Sequence, residues 1–267
     1  MPYFTTPDGC KLFYRTYNLD PSQPVVVFLN GTTQTTLYWG NQVPAFAKGY
    51  GLLLYDARGQ GQSDLGAAPL TLKLHVSDLK NLLNSLSVGT ACLVGISHGA
   101  QLALEFAIQY PARISRLVLC SLSTHTSDRC RAIVRSWIEI LKLSGLKAMA
   151  WAEVPTVFGN QFLKDHQNIL AKIVSAVDLR NDKNALIAQL EAVLNYPAPN
   201  RVPTGFDIPT LIISGAQDPL VEAEDVRKLA LDCRAGHEQL DGVGHSIPAE
   251  APEIFQKLVL EFLDPNA

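Results

Sequence analysis

Gly95-Ile96-Ser97-His98-Gly99 places a serine between two glycines, directly after the apolar run Ala91–Val94 and at the start of a helical pattern that must end before Pro111. In that setting small residues permit a tight strand-to-helix turn that lifts the serine hydroxyl above the end of a sheet. A hydroxyl is a weak nucleophile at neutral pH, so it needs a general base, and the base needs an acid to fix its tautomer. Of the six histidines, His245 stands in Gly242-Val243-Gly244-His245-Ser246, a loop closing the last strand candidate, His237–Val243. Asp218 follows the strand candidate Thr210–Ile213 in Ser214-Gly215-Ala216-Gln217-Asp218-Pro219. Ser97, Asp218 and His245 thus occur in a chain order known for serine acyl-transfer centres, each at the carboxyl end of a strand, where open α/β sheets bind ligands. They are the expected nucleophile, acid and base. His75, His125, His166 and His237 have no such placement, and the end of Leu117–Ser123 offers no carboxylate to replace Asp218.

The elements that position these residues are legible as alternating short and long patterns. Tyr3–Thr6 and Lys11–Tyr17, parted by Pro7-Asp8-Gly9, form a hairpin signal. Continuous apolar runs at Val25–Leu29, Leu52–Tyr55, Ala91–Val94, Leu117–Leu119 and Thr210–Ile213 suit strands buried on both faces of a parallel sheet. Helical stripes fall at Leu72–Leu86, Leu102–Ile108 and Glu250–Leu263. The expected fold class is α/β, a mostly parallel, doubly wound sheet. Between about Ser123 and Phe206 the alternation gives way to helical patterns at Arg131–Leu143, Leu146–Val154, His166–Val177 and Lys183–Tyr196, then a loop with Pro197, Pro199 and Pro203. That makes residues 1–122 and 207–267 the expected core domain and 123–206 an inserted helical cap, since long excursions from compact domains usually carry function.

Composition narrows the partners. Lys+Arg number 22 and Asp+Glu 25, a net charge of −3, and no Lys/Arg block supplies a footprint for nucleic acid or an anionic membrane. With 47% hydrophobic residues the chain suits a large globular core. The five cysteines, Cys10, Cys92, Cys120, Cys130 and Cys233, are odd in number and lack a Cys-x-x-Cys pair, so they read as core residues. Neither a secretory leader nor a membrane span is legible, so a cytoplasmic location is expected and Asn30-Gly31-Thr32 is a chance glycosylation match. No His-Glu-x-x-His occurs, and Gly59-Gln60-Gly61 lacks the third glycine of a dinucleotide fingerprint, so no cofactor and no metal are expected.

With these residues in place, the chain resembles the α/β-hydrolase fold superfamily along nearly its whole length. Tyr55-Asp56-Ala57-Arg58-Gly59-Gln60-Gly61-Gln62-Ser63-Asp64 looks like that family's loop after the fourth strand, with Gln60 where the family usually has histidine; Asp56 and Arg58 read as structural. The resemblance implies an oxyanion hole from two backbone N–H groups, that of His98 after the nucleophile and that of Thr32 in the loop Leu29-Asn30-Gly31-Thr32-Thr33. The elbow, the Asp-Ala-Arg-Gly loop and the helical cap look like 3-oxoadipate enol-lactonases and related small-ester hydrolases. Asn30–Thr36 looks like the corresponding loop of 3-hydroxyacyl transacylases. Trp39, Trp137, Trp151, Phe158 and Phe162, with Val157, are candidate lining of a small-molecule acyl pocket. The expected activity is hydrolysis of a carboxylic ester, lactone or thioester through an acyl-enzyme on Ser97. Acyl transfer by the same triad and a non-hydrolytic or receptor role on the same scaffold are the alternatives.

Overall fold

A computed structural model describes residues 2–20, 23–198, 202–203 and 205–264. Eight strands, β1 (Tyr3–Thr5), β2 (Lys11–Tyr17), β3 (Val25–Leu29), β4 (Gly51–Tyr55), β5 (Ala91–Ile96), β6 (Ile114–Cys120), β7 (Thr210–Gly215) and β8 (Gly236–Leu240), form one sheet in the order β1-β2-β4-β3-β5-β6-β7-β8. The pairs β1/β2 and β2/β4 are antiparallel and every other pair is parallel. The α-helices are α1 (Val43–Phe46), α2 (Leu72–Ser85), α3 (His98–Gln109), α4 (Asp128–Ser144), α5 (Leu146–Val157), α6 (Asn160–Asp165), α7 (Leu170–Arg180), α8 (Lys183–Asn195), α9 (Ala223–Cys233), α10 (Ile247–Glu250) and α11 (Pro252–Leu263).

The continuous apolar runs follow from burial on both faces. Successive strand side chains point to opposite sides, so Val25, Val27 and Leu29 of β3 enter one core with Leu79 and Leu82 of α2, Phe106 of α3 and Leu229 of α9. Val26 and Phe28 enter the other with Phe46 of α1 and Phe255 and Val259 of α11. Helices therefore cover both faces, and the carboxyl ends of β3, β5, β6 and β7 share one rim. Between β6 and β7 the described residues form α4 to α8 and no strand. Val134, Trp137 and Leu141 of α4 pack with Met149 of α5 and Leu186 and Leu190 of α8 in a small core of their own.

Several boundaries differ from the sequence reading, each for a local reason. β8 stops at Leu240 because the chain turns at Gly242, with φ +73°. The last helix begins at Pro252, which lacks an N–H and is pre-set for a first helical position, and the shorter α10 precedes it. The helix expected over His166–Val177 begins at Leu170 and runs to Arg180, and a separate short helix, α6, ends before His166. Of the prolines expected to punctuate the loop after α8, Pro199 lies outside the described residues.

Candidate active site

Ser97 lies between β5 and α3 with φ +53° and ψ −117°, a region that costs a non-glycine residue on the order of 1–3 kcal/mol. The flanking glycines have a steric reason. A Cβ at Gly95 would strike the backbone of Gly99 and Ala100, and one at Gly99 would strike the backbone of Leu29 and Asn30. Two further bonds fix the turn: Ser97 N–H donates to Cys120 O at 2.9 Å, and Gln101 N–H donates to Ser97 O at 3.0 Å. His98 opens α3, so its N–H has no carbonyl partner inside the helix. Its imidazole turns into the core against His75 and Tyr196, 5.0 and 5.8 Å between ring centroids, and burial lowers its pKa to about 4.

Asp218 and His245 come from adjacent loops after β7 and β8. Ala216 N–H donates to Leu240 O at 2.9 Å and Gln217 N–H to Val243 O at 2.8 Å, and only glycine at 215 permits this approach, because a Cβ there would meet Val243 and Gly244. His245 Nδ1 donates to Asp218 Oδ2 at 2.7 Å, while Asp218 Oδ1 accepts from Leu220 N–H at 2.8 Å. Burial pulls the imidazole pKa down. The charge of Asp218, its hydrogen bond, and the nearby Glu153 and Glu250 carboxylates reverse this and leave it above the ordinary 6.5.

Three groups hold the His245 loop, two of them, Ser121 and Glu250, given no site role by the sequence. Ser121, just past β6, donates its hydroxyl to His245 O at 2.8 Å. Glu250 accepts from Gly244 N–H at 3.0 Å, Ser246 N–H at 3.0 Å and Gly159 N–H at 2.7 Å. The C-terminal carbonyl of α5, Val157 O, accepts from His245 N–H at 3.1 Å and Ser246 N–H at 3.0 Å. The loop carrying the imidazole is thus bonded to the end of a helix from the β6–β7 segment. The one legible trace was Glu250, an acid five positions beyond His245 in a short helical turn.

The loop after β3 is held by two amides. Asn30 Nδ2 donates to Tyr55 O at 3.0 Å, and Gln60, where the resembled family usually has histidine, donates to Gly31 O at 2.9 Å. Asp56 accepts from Thr36 N–H at 2.6 Å. Arg58 is buried between Asp78 and Asp8, each at 2.6 Å, away from the cavity.

Ser97, His98, Thr32 and His245 all border one cavity of about 300 Å³ between the sheet rim and helices α4, α5, α7 and α8. Of the expected lining, Trp137, Val157 and Phe158 border it. Trp39 does not: it is fully buried, donates to Asn30 Oδ1 at 2.8 Å and stacks near Phe28 and Phe255, so it is a strut behind the Asn30 loop. Its neighbour Tyr38 reaches the cavity instead, sharing a 3.0 Å hydrogen bond with Ser246. Trp151 is 44% exposed, because the cavity takes the stripe Ala150, Glu153, Val154 and Val157 of α5 and position 151 lies off it. Phe162 lies behind Phe158, stacked on it at 4.5 Å and on His166 at 4.3 Å. Among the described residues no group of three or more His, Cys, Asp or Glu is placed to hold a metal, and no helix is long and apolar enough to cross a membrane.

A model of the alpha/beta hydrolase family matches residues 26–256, and the chain belongs to that family. It is 30% identical, over 97% of both chains, to a Bacillus subtilis protein provisionally named 2-succinyl-6-hydroxy-2,4-cyclohexadiene-1-carboxylate synthase. It is 24% identical to 3-oxoadipate enol-lactonase 2 of Acinetobacter baylyi, over 95% of this chain and 93% of the relative. Among solved structures, the enol-lactonase of Burkholderia xenovorans LB400 superposes with a TM-score of 0.89 at 26% identity, covering 98% of this chain and 99% of that one. An alpha/beta hydrolase enzyme from a Medee basin deep-sea metagenome library gives 0.88 at 31%, covering 98% and 96%.

Proposed function

We propose that the protein hydrolyses a small carboxylic ester, lactone or thioester through an acyl-enzyme on Ser97. His245 takes the hydroxyl proton as Ser97 attacks the carbonyl and returns it to the leaving group. Asp218 orients the imidazole and stabilises its protonated form, and the N–H groups of Thr32 and His98 receive the developing oxyanion. Water then attacks the acyl-enzyme with His245 again as base. In this reading residues 123–206 act as a cap that roofs the acyl pocket. The observation that carries it is the 2.7 Å Asp218–His245 pair opening on the same cavity as the strained Ser97 turn. The lactonase names of the Acinetobacter and Burkholderia relatives support the ester or lactone class.

A second reading, acyl transfer or non-hydrolytic chemistry by the same triad, has behind it the synthase name of the 30% identical relative. A panel of p-nitrophenyl esters and acyl thioesters, scored for free acid with and without a hydroxyacyl acceptor, separates the two. Release of acid regardless of acceptor, lost in Ser97→Ala, is the expected result. Turnover only with acceptor moves the assignment to acyl transfer, and equal turnover by Ser97→Ala overturns the nucleophile.

A further inference from the structure

α5 is apolar along its cavity side, with Ala150, Val154 and Val157, except for Glu153. Glu153 is 9% exposed and borders the cavity that holds Ser97 and His245. Its Oε1 accepts from Thr33 Oγ1 at 2.8 Å, and Thr33 is the neighbour of the proposed oxyanion donor Thr32. Its Oε2 has no hydrogen-bond partner among the described residues. Thr33 is also held from the other side, where Asn181 donates to its carbonyl at 3.2 Å. A carboxyl without an arginine or lysine partner at such a site is costly to keep in a stable fold, and the reaction assigned to Ser97, Asp218 and His245 gives it no task. What its position does is present one acceptor oxygen to a substrate close to the reacting centre.

We propose that Glu153 is a specificity-determining residue: its free oxygen accepts a hydrogen bond from a hydroxyl carried on the acyl chain, and the same group excludes acyl chains that end in a carboxylate. The inference rests on the proposed hydrolytic reading. Hydrogen-bonding sites of this kind discriminate strongly, because an analogue lacking the group leaves a buried polar atom unpaired. A second carboxylate brought against Glu153 meets like charge in a poorly solvated space. Burial raises the Glu153 carboxyl to about 7, against the Thr33 hydrogen bond and the charge of His245, which lower it. Exclusion of anions therefore strengthens as pH rises through neutrality and Glu153 loses its proton. The other titratable or charged groups bordering the cavity are His245 and Tyr38 on the sheet side, His98 at the elbow, His125 after β6, Cys130 on α4 and Arg180 on α7.

The test compares p-nitrophenyl 3-hydroxybutyrate, p-nitrophenyl butyrate and mono-p-nitrophenyl succinate on the wild type, Glu153→Gln and Ser97→Ala. In the wild type the hydroxybutyrate-to-succinate ratio of kcat/KM should exceed that of Glu153→Gln by at least about tenfold. It should rise between pH 6 and 8 in the wild type and stay flat in Glu153→Gln, which removes any contribution from the other groups. The wild-type pH series needs no variant, so a ratio flat with pH there overturns the inference even if Glu153→Gln folds poorly. A ratio that is the same in both proteins, or flat with pH in the wild type, overturns the inference while turnover lost in Ser97→Ala leaves the hydrolytic reading intact. No release from any of the three esters by the wild type would overturn both.

Discussion

The rim of the sheet and the helical segment between β6 and β7 are built on different terms. At the rim, backbone geometry fixes the side chains: Ser97 sits at positive φ because Gly95 and Gly99 let three backbone segments close on it, and Asp218 and His245 sit on loops hydrogen-bonded to each other. Two extensive apolar cores, one on each face of the sheet, hold these loops in place. The segment α4 to α8 has small cores of its own, enters a sheet core through Ala192 of α8, and is bonded to the rim by Val157 O to the His245 loop and by Glu153 to Thr33. On the proposed function, the rim sets which reaction runs and the helical segment sets which acyl group reaches it.

If that division holds, variants should sort by region. The largest effect belongs to Ser97→Ala, which should lower kcat on a reactive ester by more than about 10⁴-fold while the melting temperature stays near wild type. Retention of a tenth of wild-type kcat would break the comparison at its strongest point. Asp218→Asn should cost on the order of 10⁴ in kcat by presenting the wrong tautomer of His245.

Glu250→Gln tests the bonds that join the regions. It weakens the hold on Gly244, Ser246 and Gly159 and should lower kcat by about tenfold through misplacement of the imidazole. The pH profile gives the sign. His245 must be neutral to act as base, and its pKa is raised, so kcat/KM in the wild type should fall as pH drops through a midpoint above 6.5. Glu250 is one of the carboxylates that raise it, so Glu250→Gln should move that midpoint to lower pH; an unmoved midpoint would confine Glu250 to a structural role. The smallest effect is expected at Trp151→Ala, below about twofold in kcat/KM, because this side chain faces solvent and lies off the cavity stripe. A large loss there would mean that the cavity extends around α5.

The same division explains what was legible in the sequence. β3 coincides with its apolar run at Val25–Leu29, and the strand-end placement of Ser97, Asp218 and His245 was legible because tight turns there demand glycine. The cavity lining was harder, since an aromatic residue shows that a side chain is apolar but not which way it turns. Trp39 and Tyr38 are neighbours, yet one props Asn30 and the other borders the cavity. Trp137 and Phe158 reach it, while Phe162 is screened by Phe158. Ser121 holds His245 O and Glu250 holds Gly159 N–H across long stretches of sequence, pairings that no local pattern records. Glu153 left a weak trace as a lone acid in the apolar stretch Met149–Val157.

The covalent step on Ser97 carries the proposed function most directly. Mass spectrometry of protein quenched in acid during turnover of p-nitrophenyl butyrate, followed by peptide mapping, should find one butyryl group on the peptide carrying Ser97, more abundant in Asp218→Asn if deacylation slows, and absent in Ser97→Ala. Turnover with no acyl group on Ser97 under conditions that trap other acyl-enzymes, or with the group on a different residue, would contradict it.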